Sequence, residues 1–190
     1  MAVHLTKIYT RAGDGGKTRL SDNAEVSKNG SRVSAYGNVD ETNSAIGVAL
    51  ALGNLGGDIS ELLRTVQNDL FDVGADLCTP IAEAPKYAPL RIGQSYVDRL
   101  EGWCDEYNAR LAKLNSFILP GGTPGAALLH QTRCIARRAE RSAWALIEDD
   151  PERTHVLPAK YLNRLSDLLF ILARATNPSG DILWKPANNA

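Results

Sequence analysis

Apolar residues recur at helical spacing along most of the chain, and five segments carry this pattern. The predicted helices cover residues 39–52, 59–77, 94–114, 127–148 and 159–175. Gly53 closes the first helix, and Asp58 is the expected N-cap of the second. Proline- and glycine-rich stretches at 79–90 and 115–125 separate the others. The pattern predicts an all-α protein, a single five-helix bundle.

The chain is expected to form one domain of three parts. Residues 1–35 are polar, rich in glycine and weakly periodic, and they form the predicted loop region. Residues 36–178 form the predicted helical bundle, and residues 179–190 form a short tail. A chain of 190 residues is long enough to bury a full hydrophobic core.

A glycine-rich stretch near the N-terminus, YTRAGDGGKTRL at 9–20, ends like a phosphate-binding loop. The P-loop of kinases needs a glycine where this chain has Arg11, and it needs an apolar helix directly afterwards, which is missing. What remains is flexible backbone whose N–H groups can converge on an anion, flanked by side-chain donors. An ordinary glycine turn is the alternative. The residues concerned are Thr10, Gly13, Gly15, Gly16, Lys17 and Thr18.

Composition limits the other possibilities. A net charge of -1 with 44% hydrophobic residues is typical of a globular protein without a general preference for nucleic acid or membrane surfaces. No segment approaches the roughly 18 consecutive apolar residues of a membrane helix. Three widely spaced cysteines indicate neither a disulfide framework nor a metal site. A cytoplasmic location is therefore expected.

The fourth predicted helix carries one strongly charged face. Arg133, Arg137, Glu140 and Arg141 fall within a sector of roughly 100° when residues advance about 100° each. A solvated helix face is the alternative to a binding surface. Asp40 and Glu41 near the start of the first helix are either partners of the helix dipole or ion-pair partners of an arginine, and the local interpretation is preferred.

The fifth predicted helix places Asn163 and Asp167 four residues apart within a leucine-rich pattern. Solvent exposure explains such a pair in most helices. An inward-facing amide would instead be suited to reading a nucleotide base or ribose.

Three separated segments together resemble one known family. They are YTRAGDGGKT at 9–18, AYGNVDETN at 35–43, and RCIARRAER at 133–141 with YLNRLSD at 161–167; SFILPGG at 116–122 also fits. Their order and spacing resemble those of the PduO-type ATP:cob(I)alamin adenosyltransferases over nearly the whole chain. The resemblance implies a homotrimeric five-helix bundle. Its active sites would lie at subunit interfaces, where the N-terminal loop of one chain closes over ATP.

The resemblance also implies a role for individual residues. Phe117 would occupy the lower face of the corrin with Phe170 lining the same pocket, and Asn163 would contact the nucleoside. Arg133 would pair with Asp40 to set the interface geometry. The implied catalytic residues are Arg133, Asp40, Arg137 and Phe117. The triphosphate cradle would comprise Thr10, Arg11, Gly13, Asp14, Gly15, Gly16, Lys17, Thr18 and Lys28, and Arg137, Arg138, Glu140 and Arg141 would bind nucleotide or order the site.

The implied reaction transfers the 5'-deoxyadenosyl group of ATP to cob(I)alamin, giving adenosylcobalamin and triphosphate. Cobalt(I) is itself the nucleophile, so the protein need supply neither a nucleophile nor a base. Its work would be to align the reactants and, with Mg2+, to stabilise charge on the triphosphate. Besides ATP and the reduced corrinoid, a cobalamin reductase and an adenosylcobalamin-dependent enzyme are the expected partners. No protein metal site is expected.

Three rival classes make different predictions. A P-loop kinase would release ADP rather than triphosphate. A di-iron bundle protein is suggested only by Glu152 and His155, which lie beside Pro151 in a predicted loop and lack a second such pair. A nucleic-acid-binding module would use the arginine-rich helix and require a more basic chain.

Overall fold

The computed structural model describes residue 9, residues 11–85 and residues 87–187. Thr10 and most of the segment before the glycine loop lie outside the described residues. The bundle consists of α1 Ser31–Leu52, α2 Gly57–Cys78, α3 Gln94–Asn108, α4 Pro124–Asp149 and α5 Leu157–Ala175. Two short antiparallel strands, β1 Lys17–Arg19 and β2 Glu25–Ser27, precede it. The predicted all-α, five-helix bundle is confirmed.

Helix α4 is the central element, because it packs along both α1 and α5. Asn38 of α1 donates to Ser142 Oγ at 2.6 Å, and Thr132 contacts the Ala45 carbonyl further along the pair. Since the residue numbers rise in α1 as they fall in α4, the two helices are antiparallel.

Helices α2, α3 and α5 meet around one buried carboxylate. Asp69 of α2 accepts from Arg99 of α3 at 2.6 Å and from the hydroxyl of Tyr161 of α5 at 3.0 Å. Asp69 and Tyr161 are buried, and burial raises the Tyr161 pKa well above its ordinary value. A buried carboxylate with two partners favours one arrangement of these helices over others.

Helix α1 begins at Ser31, well before the predicted start at residue 39. The apolar pattern misses this part because a charged residue, Arg32, occupies a buried position. Its guanidinium donates to the Leu77 carbonyl at 2.8 Å and to Asp150 at 2.8 Å. Asp40 and Glu41 are therefore in the middle of α1, and the preferred interpretation that they are first-turn dipole partners was wrong.

Two other helix ends differ from the sequence prediction. The N-cap of α2 is Gly56 rather than Asp58, whose carboxylate accepts from the Tyr107 hydroxyl at 2.8 Å. This hydrogen bond is the main reason that the Asp58 pKa is lowered. Helix α3 ends at Asn108 instead of residue 114, because the chain turns there and the Ala112 carbonyl accepts from Arg174 at 2.8 Å.

The core runs the length of the bundle. The buried face of α5 consists of leucines on the predicted apolar pattern, namely Leu162, Leu165, Leu168, Leu169 and Leu172. Small residues of α4 let the helices approach, and these are Ala136, Ala139 and Ala143. The exposed side of α4 is thus left to its arginines.

Candidate active site

The glycine loop leads into a β-hairpin, and no helix follows it directly. Gly16 has a φ of 76°, in the left-handed region, and its carbonyl accepts from the Lys28 N–H at 2.9 Å. Glycine reaches this conformation without the steric cost that other residues meet. The strand–loop–helix arrangement of a P-loop is absent from the part of the loop that the structure describes.

Two lysines flank this loop in different ways. The Lys28 ammonium lies so close to Gly13 that a Cβ atom there would be 2.8 Å from Nζ. The Lys28 ammonium therefore lies beside the loop. Lys17 is less available, because its ammonium forms an ion pair of 2.7 Å with Glu25 on the opposite strand.

Among the remaining predicted loop residues, Arg11, Asp14 and Gly15 are exposed and Thr18 is half-buried. Arg11 has a φ of 63° and lies 5.9 Å from the centre of the Tyr9 ring. The Asp14 N–H donates to the Arg11 carbonyl at 3.3 Å, which closes a turn, and Gly15 has open space around it. Thr18 forms a hydrogen bond with Tyr36, which lowers the Tyr36 pKa, but burial outweighs it and leaves that pKa raised.

The hairpin is attached to one end of the bundle. Leu20 is buried, and Ser21 Oγ donates at 3.3 Å to the carbonyl of Cys78, the last residue of α2. Asp22 pairs with Arg153 at 3.5 Å, just beyond the end of α4. The loop therefore lies at the C-terminal end of α4.

The arginines of α4 divide between two directions. Arg133 and Arg137 line a cavity of about 770 Å³ between the end of α3 and α5, whereas Arg138 forms an ion pair with Glu41 of α1. Arg141 is exposed and donates to the Arg137 carbonyl at 3.2 Å. Arg133 and Arg137 therefore share one cavity, and Arg138 points away from it towards α1.

Glu140 and Asn163 are hydrogen-bonded across α4 and α5. The Asn163 amide donates to Glu140 Oε1 at 2.8 Å, and both residues line a cavity of about 490 Å³ beside Trp144. Asp167, the other half of the predicted polar pair, accepts from Arg164 at 3.1 Å instead. An amide held by a carboxylate keeps a fixed orientation for a ligand.

Phe117 and Phe170 line one cavity of about 750 Å³, together with Arg133. Phe117 is 79% exposed, so its ring is accessible to a ligand in this cavity. The Arg133 guanidinium carbon lies 6.0 Å from the centre of the Phe170 ring, and Arg133 Nε is buried without a hydrogen-bond partner. An aromatic, partly cationic cavity suits a large, mostly apolar ligand with polar groups.

His130 lies behind this cavity and was not predicted as a site residue. It is buried, and its ring is 5.9 Å from that of Phe170 in an edge-to-face arrangement. Burial, and then the charge of Arg133, lower its pKa. A neutral imidazole there supports the Phe170 ring without adding charge to the cavity.

Residues 8–176 match the family described as cobalamin adenosyltransferase. The chain belongs to the cobalamin adenosyltransferase family. It is 64% identical over 189 residues to the corrinoid adenosyltransferase of Mycobacterium tuberculosis, covering 100% of this chain and 98% of that one. It is also 42% identical over 179 residues to that of Bacillus subtilis, covering 93% and 89%.

The fold agrees with solved structures of this adenosyltransferase family. One is a variant of the PduO-type ATP:corrinoid adenosyltransferase from Lactobacillus reuteri complexed with cobalamin and ATP. Its TM-score is 0.87 at 35% identity, covering 97% of this chain and 100% of that chain. Another variant of the same enzyme, complexed with ATP, has a TM-score of 0.84 at 36% identity, covering 94% and 100%.

A single chain of this adenosyltransferase fold does not bring all the predicted residues together. The loop lies at the C-terminal end of α4, whereas Phe117 lies near its N-terminal end, where the N-cap Thr123 donates to the Thr176 carbonyl. A helix of 26 residues is about 39 Å long. Among the described residues, no ion pair joins Asp40 to Arg133, and the two line separate cavities.

The structure adds residues to the cavity that were not predicted. Trp184 and Leu114 line it beside Phe117, and Arg174 holds the segments that carry them. The only signal for Trp184 is an apolar run after Gly180, in a stretch otherwise typical of a disordered tail. No group of three or more potential metal ligands occurs in the residues described, and no helix there is long and apolar enough to cross a bilayer.

Proposed function

We propose that the protein transfers the 5'-deoxyadenosyl group of ATP to cob(I)alamin, forming adenosylcobalamin and triphosphate. The observation that carries this proposal is full-length similarity to an ATP:corrinoid adenosyltransferase whose solved structure contains cobalamin and ATP. The cavity lined by Phe117, Phe170 and Arg133 and the glycine loop supply two chemically distinct surfaces for those two substrates.

The loop and the arginines of α4 would hold the triphosphate. Backbone N–H groups, Lys28 and Arg137 would stabilise the charge that accumulates on the leaving group. The cobalt(I) of the substrate supplies the electron pair, so the protein contributes alignment and electrostatics. Phe117 would keep ligands off the lower corrin face, which would ease reduction of cobalt(II).

Mg2+ would enter with the nucleotide. The described residues contain no cluster of three potential metal ligands, and Asp14 is an exposed carboxylate within the loop. Mg2+ commonly binds through substrate phosphates, water and one or two carboxylates, so this composition fits a metal carried by ATP.

A homotrimer would complete the site. Within one chain the loop and Phe117 lie at opposite ends of α4, and Asp40 faces away from Arg133 into a different cavity. Phe71 lines the same cavity as Asp40 and is exposed, and Val48 and Leu52 are exposed apolar residues further along α1. A second copy packed on this face would cover those side chains and could bring its arginine to Asp40.

The proposed context is a reducing cytoplasm with a cobalamin reductase upstream and an adenosylcobalamin-dependent enzyme downstream. All three cysteines are free thiols, with Cys134 exposed. The reductase is proposed because cob(II)alamin must gain one electron before it can attack ATP.

The experiment that tests the function combines chemically reduced cobalamin, ATP and Mg2+ with the protein. We expect the absorbance spectrum of adenosylcobalamin, its loss on illumination, and one triphosphate per corrinoid converted. Release of ADP without a change in the corrinoid spectrum would contradict the proposal and favour a kinase or ATPase.

A further inference from the structure

The C-terminal segment after α5 returns to the bundle and pairs with the segment that carries Phe117. The Leu119 N–H donates to the Ile182 carbonyl at 2.8 Å, and the Trp184 N–H donates to the Phe117 carbonyl at 2.7 Å. Ile118 and Leu183 form an isolated antiparallel bridge between these contacts. The tail is thus a short strand added to the Phe117 segment.

A buried arginine fixes both segments to the end of α5. Arg174 is only 9% exposed, and its Nε donates to Asp181 in the tail at 2.8 Å. Its Nη2 donates at 2.8 Å to the carbonyl of Ala112, in the segment leading to Phe117. One guanidinium therefore holds the Asp181 carboxylate and the Ala112 carbonyl. This arrangement restricts movement of the two segments relative to each other.

The ring of Trp184 contacts that of Phe117 directly. Their centroids are 6.1 Å apart with planes at 68°, a favourable edge-to-face geometry. Trp184 is 46% exposed and lines the same cavity as Phe170 and Arg133. It is the only aromatic partner of Phe117 in the part of the chain that the structure describes.

We infer that Trp184 is a positioning residue for Phe117 in the corrin cavity. An exposed phenyl ring on a connecting segment would sample several rotamers, and the tail restricts it by backbone pairing and by the Trp184 ring. Trp184 would thereby set where Phe117 meets the lower corrin face. The inference rests on the proposed function, since it names a residue that shapes the same site.

The test compares Trp184→Ala with Trp184→Phe, which retains an aromatic ring, and with Lys185→Ala, a matched change at the next, exposed position. Cob(II)alamin with saturating ATP is the probe. Its electron-paramagnetic-resonance spectrum reports the four-coordinate fraction, and titration gives its Kd. Losing one aromatic pair should raise that Kd about two- to ten-fold and lower the four-coordinate fraction.

We expect Trp184→Phe to restore most of the four-coordinate signal and Lys185→Ala to match the wild type. The Kd of ATP should stay within about two-fold of wild type in all three variants, since Trp184 lines the aromatic cavity and is not among the residues proposed to hold the triphosphate. A purely structural role would lower thermal stability and weaken both ligands together. That result, or an unchanged four-coordinate fraction in Trp184→Ala, would overturn the inference.

A double-mutant cycle tests whether Trp184 acts through Phe117. In a Phe117→Ala background, Trp184→Ala should change the cob(II)alamin Kd by less than about two-fold. Full additivity of the two changes would contradict the positioning role. If Trp184→Ala does not fold, Trp184→Leu keeps apolar bulk without the ring and is judged by the same outcomes.

Wild-type activity separates the two proposals. Wild-type protein that makes adenosylcobalamin while Trp184→Ala behaves identically would defeat the positioning role alone. Wild-type protein that makes none would defeat the proposed function, and the positioning role with it.

Discussion

Gly13 differs from the other loop glycines because the Lys28 side chain lies against it. The Lys28 ammonium occupies the space where a Cβ atom would lie, whereas Gly15 has nothing within 4 Å and has no positive φ. Gly13→Ala should therefore displace Lys28 and weaken ATP binding by about ten-fold, the loss of one charge-assisted hydrogen bond. Isothermal titration calorimetry measures this, with circular dichroism to confirm unchanged helicity.

Gly15→Ala is the matched control for that change. From the glycine pattern alone, Gly15→Val is expected to weaken ATP binding, because a β-branched side chain opposes a tight turn. In the structure the residue in the left-handed region is Gly16, with a φ of 76°. The position that needs glycine for its backbone conformation is therefore Gly16 and not Gly15. Equal ATP affinity for Gly13→Ala and Gly15→Ala would contradict the role of Lys28.

Arg137 lies within the cavity between α3 and α5, and its charge has no ion-pair partner among the described residues. Arg137→Ala should lose about 1.5 to 3 kcal/mol of charge-assisted hydrogen bonding, which corresponds to a drop of about ten-fold or more in kcat/KM for ATP. Steady-state kinetics measure it, with Arg110→Ala as a control at an exposed position whose guanidinium pairs with Glu106 and lies over the Tyr107 ring. Normal kinetics would indicate that this face of α4 is solvated and is not a binding surface.

Phe117 is 79% exposed, so removing its ring leaves little cavity in the folded chain. Phe117→Ala should open the lower corrin face to a ligand, reduce the four-coordinate cobalt(II) population and make reduction harder. The expected result is a large drop in kcat when cobalt(II) is supplied, a smaller drop with cobalt(I), and normal ATP affinity.

A core-packing role for Phe117 makes a different prediction. Removing a buried phenyl ring typically costs about 3 to 5 kcal/mol, which would lower Tm and impair both substrates. Thermal unfolding measured on Phe117→Ala separates the two cases. Unchanged Tm with an unchanged four-coordinate signal would contradict both roles.

At the scale of elements, the backbones at the end of α1 and the start of α4 are in close contact where Gly53 meets Gly125. A Cβ atom on Gly125 would lie 2.6 Å from the Gly53 carbonyl oxygen and 2.6 Å from Leu55 Cδ2. Gly125→Ala should therefore lower the free energy of unfolding by about 1 to 3 kcal/mol through overpacking. Urea denaturation measures the change.

The control for Gly125→Ala is a substitution at Gly102 of α3, where a Cβ atom would have nothing within 4 Å. Gly102→Ala should raise the free energy of unfolding by about 0.5 to 1 kcal/mol, because alanine favours a helix interior. Destabilisation of both variants to the same extent would refute close packing as the cause.

For the whole molecule, the proposed trimer makes a prediction that no single chain can satisfy. A chain carrying Gly13→Ala and a chain carrying Phe117→Ala are defective at opposite ends of α4. If each active site takes its loop from one subunit and its aromatic cavity from another, mixing the two chains under subunit exchange should create some sites with both parts intact.

Activity of the mixture is the measurement, with cobalt(II) supplied and with ATP well below the KM of Gly13→Ala, so that each variant alone is impaired. With random assembly, about one interface in four combines two wild-type parts, so activity should recover to roughly a quarter of the wild-type value. Each variant alone is the control, and chemical cross-linking reports the oligomeric state. No recovery in mixed oligomers would show that the loop and cavity of one chain serve the same site.

The periodic apolar positions were sufficient to predict the helices, because burial of one helix face is the dominant favourable term in folding. The leucines of α5 are on the predicted face and fully buried. Helix ends were harder to predict. The start of α1 was missed because Arg32 looks like a surface residue in sequence, whereas its guanidinium is buried and bonds to partners 45 to 122 residues away.

Residue types and spacing by themselves determined the bundle, the glycine loop and the charged face of α4. Only the tertiary structure decided that Lys28 covers Gly13, that Arg138 turns to Glu41, and that the tail places Trp184 against Phe117. The physical reason is the separation in sequence of the residues that interact. Helix periodicity depends on neighbours within one turn, whereas these contacts join residues that come close only when the core has formed.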